Sequence, residues 1–143
     1  MNALDLTTDY PRSPRATLAG YVIAARTLDK CRAVLAGTQG EYHFDCPLDN
    51  LFFDFAGIQA DDFKAFVATG ADDAAVAEWI QAKAAENTQE EIVQWNNDLR
   101  YKRISEMPIK LQVFLEGYIP ENTPANKVVY YWFDVYDIEE KRI

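Results

Sequence analysis

The sequence predicts an all-α protein: a single compact bundle of about six to seven short helices, preceded by an extended N-terminal arm. Three observations lead there. Apolar residues recur at helical spacing in run after run. Acidic or hydroxyl residues open several of those runs and glycines close them, as helix starts and stops require. Only residues 128–133 have strong β-propensity, and no comparable stretch exists to pair with them.

Each element follows from local signals. Pro11 and Pro14 push their predecessors out of the helical region and predict an arm over residues 1–17. Tyr21, Ala24, Ala25, Leu28, Cys31 and Leu35 form one stripe, so a helix is expected from Tyr21 to Leu35, with Gly37 just past its end. Asp45-Cys46-Pro47 reads as a helix start with proline at the first helical position. Leu48, Leu51, Phe52 and Phe55 give that helix its apolar face, and Gly57 stops it. Asp61 and Asp62 open the next helix, Phe63, Phe66 and Val67 face inward, and Gly70 ends it. Asp72 and Asp73 repeat the device before Val76, Trp79 and Ile80. Thr88-Gln89-Glu90-Glu91 is a capping box, opening a helix lined by Ile92, Trp95 and Leu99. Pro108 restarts the chain, and Leu111, Phe114, Leu115 and Tyr118 lie on one face. Thr123-Pro124 reads as another cap. Val129, Trp132, Phe133 and Tyr136 favour helix over strand for residues 128–136.

Length and composition set the outer bounds. The 143 residues imply one domain spanning 1–143. Apolar residues at 49% and charged residues at 26% are globular values. The formal net charge of −9 argues against nucleic acid and anionic membrane as partners, because phosphate binding needs a basic surface. The charge is uneven: residues 1–32 sum to +2, residues 33–98 to −11 and residues 99–143 to zero. The first nine residues show neither a basic nor an apolar signal region, and no apolar run nears the roughly 18 residues that span a bilayer. Two cysteines without such a signal are expected to be reduced thiols in a cytoplasmic protein.

Few residues offer chemistry. His43, Cys46 and Cys31 are too few for a zinc site, and no metal or cofactor is expected. No cysteine-hydrolase signature, nucleophile elbow or phosphate-binding glycine loop is present. The paired carboxylates Asp61/Asp62 and Asp72/Asp73 occupy ordinary capping positions. The distinctive cluster is Arg12 and Arg15 from the arm with Arg26, Asp29, Lys30 and Arg32 from the first helix. Asp29 lies three residues from both Arg26 and Arg32 and is expected to pair with either. Lys30 and Arg26 are four apart and repel unless an anion sits between them. These groups, with Tyr42 and His43, are the candidate anion- or ligand-binding residues; the alternative is a set of structural ion pairs.

Pro11-Arg12-Ser13-Pro14-Arg15, Leu18-Ala19-Gly20-Tyr21 and Arg26-Thr27-Leu28-Asp29-Lys30-Cys31-Arg32-Ala33 resemble the domain of unknown function 5069 family. So do Leu6-Thr7, Gly40-Glu41-Tyr42, Asp54-Phe55-Ala56-Gly57-Ile58, Val67-Ala68-Thr69-Gly70 and Glu78-Trp79-Ile80. The resemblance implies a compact bacterial cytoplasmic domain and carries over no catalytic residue. The preferred expectation is a noncatalytic module recognising a partner protein or a small anionic ligand. The alternative is a small-molecule enzyme with a site near Arg26, Asp29, Tyr42 and His43.

Overall fold

A computed structural model describes residues 3–143, and among them the chain is mostly helical, as expected. Seven α-helices account for most of these residues: α1 (Ala24–Ala36), α2 (Pro47–Ala56), α3 (Ala60–Val67), α4 (Asp73–Lys83), α5 (Gln89–Arg100), α6 (Ile109–Asn122) and α7 (Trp132–Glu139). Two short strands, β1 (Thr17–Leu18) and β2 (Tyr21–Val22), form an antiparallel hairpin before α1. The chain divides into two compact units, one ending at Val93 and one spanning Gln94–Ile143.

The first unit is built around α1. The arm, described from Ala3 onward, is tied to the end of this helix: the Leu6 N–H donates to the Thr38 carbonyl at 2.8 Å. The hairpin corrects the expected start of the first helix. Tyr21 and Val22 are strand, because Ala19 (φ +56°) and Gly20 (φ +89°) make a two-residue turn with both central residues left-handed. Ile23 then holds φ +73° with its side chain fully buried, a strained setting for a β-branched residue. Two backbone hydrogen bonds hold it there: its N–H donates to Pro14 at 2.8 Å and its carbonyl accepts from Thr27 at 2.9 Å.

From Ala24 to Cys31 every residue of α1 is buried, Arg26, Asp29 and Lys30 included. Leu35, assigned to the stripe, is exposed instead, since it lies in the last turn where the helix leaves the core. The core proper is aromatic. Phe52, Phe53 and Phe63 are buried with ring centroids 5.3–6.4 Å apart, and Trp79 adds an edge contact to Phe63 at 6.0 Å. Phe53 replaces Leu51 on the inward face of α2, Leu51 being exposed. The start signals are realised at three helices, beginning with α2, which opens at Pro47 after the Cys46 cap. Asp72 caps α4 by accepting from the Ala75 N–H at 2.8 Å. The Thr88–Glu91 box closes with reciprocal bonds of 3.1 and 3.2 Å. Asp61 and Asp62 stand in the first turn of α3 rather than at its cap, which is Gln59.

In the second unit, Thr123 closes α6 rather than opening a helix: its hydroxyl donates to the Ile119 carbonyl at 2.7 Å. Residues 128–131 are not helical. Tyr131 forms an antiparallel bridge with Arg103, the Ile104 N–H donates to Tyr130 and the Trp132 N–H to Lys102. The β-prone run therefore has a partner after all, a segment too polar to read as a strand. Helix α7 begins at Trp132, as its stripe implies. No helix among the described residues is long and apolar enough to cross a membrane.

Candidate functional site

The predicted cluster comes together in the first unit, and acids absent from the prediction organise it. Asp29 takes Arg12 rather than its helical neighbours. The Arg12 backbone N–H and Nε donate to Asp29 Oδ2 at 2.8 and 3.0 Å, and Nη2 donates to Oδ1 at 3.0 Å. Arg12 Nη1 reaches Asp73 Oδ2 at 3.0 Å, and Arg32 Nη1 reaches the other oxygen of Asp73 at 2.8 Å. Arg32 also donates to the Ala71 carbonyl at 3.0 Å. Asp73 can do this because Asp72 already serves as the helix cap, which leaves the next carboxylate free to turn back toward α1.

Electrostatics follow the contacts. Burial alone would lower the ionisation range of Arg12, but hydrogen bonding and charge from Asp29 and Asp73 outweigh it and raise the range. Burial would likewise raise the Asp73 carboxyl, yet Arg32 and Arg12 hold it below the usual carboxylate range. Each guanidinium–carboxylate contact here joins arm to helix or helix to helix, the work of a structural clamp.

Lys30 turns the other way. Its Nζ lies 3.0 Å from Asp49 Oδ1 and 3.2 Å from Cys46 Sγ, with the lysine and aspartate side chains 4% and 0% exposed. Asp49 is fixed further by the Thr27 hydroxyl at 2.7 Å and by the Asp45 and Cys46 backbone N–H groups at 3.0 and 3.4 Å. A buried pair of this kind is retained only with such added hydrogen bonds. Cys46 stands in the predicted start of α2, but nothing local in the sequence joins it or Asp49 to Lys30, sixteen residues from Cys46.

The remaining candidates make other contacts. Arg26 Nη1 donates to the Arg12 carbonyl at 3.3 Å, and its guanidinium sits 5.6 Å from the centroid of the Tyr42 ring, a cation–π distance. The Arg15 backbone N–H donates to Ser13 Oγ at 3.1 Å. His43 is exposed and lines an open hollow of 340 Å³ with Tyr42, Gln39, Lys64, Asp45 and Asp61. Arg26 and Asp29 are absent from the lining of this hollow. A second hollow, of 560 Å³, lies between the hairpin turn and the end of α4, lined by Tyr21, Gln81, Asn87 and Ile92 with no charged side chain. No group of three or more His, Cys, Asp or Glu residues among those described is arranged to hold a metal ion.

Compared with known proteins, residues 8–142 match the family described as "Domain of unknown function (DUF5069)". No curated protein matches.

Proposed function

The chain belongs to the domain of unknown function 5069 family, and we propose that it works as a noncatalytic interaction module that binds a partner protein through the apolar face of α6. The observation that carries this reading is the composition of that helix against its burial. Helix α6 is apolar around most of its circumference, yet only Leu115 of its fourteen residues is buried. Ile109 and Val113, one turn apart, are 70% and 67% exposed, and Phe114 is 57% exposed. Large apolar side chains left exposed together mark a surface suited to being covered. The charge pattern favours the same surface: residues 99–143 are neutral, whereas residues 33–98 carry −11 and repel acidic surfaces. A helix laid into an apolar groove, anchored by residues one turn apart, is a common recognition mode.

The anionic-ligand alternative is less favoured by the contacts, since Arg12, Arg32 and Lys30 spend their donors on Asp29, Asp73 and Asp49. The test is affinity capture from cell lysate with wild type and Val113→Lys. Wild type should retain a protein that the variant loses, while the urea midpoints of the two agree, because Val113 is exposed. Identical captured sets, or unfolding of the variant, would overturn the reading.

A further inference from the structure

We propose that Cys46 and Lys30 form an oxidation-driven crosslink, a sulfenamide bond between α1 and the start of α2. The pair is preassembled: the ammonium donates to the sulfur at 3.2 Å and is steered from its other side by Asp49 Oδ1 at 3.0 Å. Nζ, Sγ and Oδ1 thus form a chain of nucleophile, electrophile-to-be and proton acceptor, and Thr27 holds the acceptor in place at 2.7 Å.

The chemistry closes with hydrogen peroxide as the oxidant. First, the sulfur attacks one peroxide oxygen and the O–O bond breaks. Sulfur is oxidised by two electrons to sulfenic acid, and one water leaves. Second, the ammonium gives one proton to Asp49, and the freed nitrogen pair attacks sulfur. The S–O bond breaks, and the hydroxyl leaves as water with a second proton from nitrogen. The product is one S–N bond, with neither thiol nor amine remaining. A thiol reductant reverses it by attacking the sulfur.

The second cysteine is a built-in control. Reactive thiols sit partly exposed beside cationic groups, whereas apolar burial leaves a thiol inert. Cys46 is half-buried and beside Lys30; Cys31 is fully buried, and burial pushes its thiol up to about 12. The two cysteines therefore respond differently to one oxidant.

The experiment treats the full chain with hydrogen peroxide and maps peptides by mass spectrometry. The expected species joins the Lys30 and Cys46 peptides at a mass two hydrogens below their sum. Dithiothreitol removes it, it persists in Cys31→Ser and it is lost in Lys30→Arg and Cys46→Ser. The wild-type measurement stands alone should Lys30→Arg fail to fold. Wild-type protein in which Cys46 stops at sulfenic acid, trapped by dimedone with Lys30 still open to acylation, overturns the proposal. So does a Cys31–Cys46 disulfide as the main product.

Discussion

The clamp formed by Arg12, Asp29 and Asp73 makes an asymmetric prediction. In Arg12→Ala the Asp29 carboxylate, 7% exposed in the intact clamp, loses two side-chain donors and its counter-charge, with only the backbone N–H of residue 12 left to it. Breaking a buried pair from that side costs about 3–5 kcal/mol; the surviving donor places the expected loss near the lower figure. In Asp29→Ala the group left behind is Arg12, whose side chain is 35% exposed and keeps Asp73 at 3.0 Å. It can rehydrate, so the cost is that of three hydrogen bonds, the one from the Arg12 backbone N–H included, about 2 kcal/mol in all at this exposed end. Removing both partners removes the stranded carboxylate, and the double variant should be more stable than Arg12→Ala alone. The assay is urea unfolding read by Trp79 fluorescence in a Trp95→Phe, Trp132→Phe background, which reports on the first unit because Trp79 lies there against Phe66, ring centroids 5.3 Å apart. Equal costs for the two single variants, or a double variant that costs their sum, would refute the burial asymmetry.

Two further predictions concern packing and acid stability. Phe52→Ala should cost about 3–5 kcal/mol, since the ring is fully buried among other rings. Trp132→Ala should cost about half that, because Trp132 is half-buried and cannot leave a closed cavity; comparable urea midpoints for the two would contradict this ranking. For Asp73 the folded carboxyl titrates below its unfolded value, held there by Arg32 and Arg12 against the effect of burial. It therefore contributes stability above the unfolded carboxylate value of about 3.9, and the contribution is lost as pH falls through that region. Asp73→Asn should flatten the fall in urea midpoint between about pH 5 and pH 3; an unchanged slope would show that other carboxylates control acid unfolding.

What the sequence discloses depends on how far apart the interacting groups lie. The Thr88–Glu91 box, the Asp72 cap and the Cys46-Pro47 start of α2 are contacts between residues within one turn, and spacing alone identifies them. The hairpin is nearly as local but escapes notice, because strands of two residues fall below any periodic pattern and Ala19 is an unexpected occupant of a left-handed turn position. Pairing across the fold is a different problem. Five cations in the first 32 residues face thirteen acids in residues 33–98, and helical spacing offers Asp29 to Arg26 or Arg32 before Arg12. Tertiary geometry decides: Asp29 lies on the face of α1 that meets the arm, and Lys30, one residue on, faces α2. The same limit governs chemistry. His43 draws attention as the chain's single histidine, yet the group beside the Cys46 sulfur is Lys30, a residue that reads in sequence as one more surface charge. Helix α6 completes the point in reverse. Its stripe names Leu111, Phe114, Leu115 and Tyr118 as inward, yet only Leu115 is buried, and Leu111 and Phe114 are exposed along with Ile109 and Val113. On the function proposed above, that surplus of exposed apolar surface is what a partner would cover, and Val113→Lys is the variant that tests it.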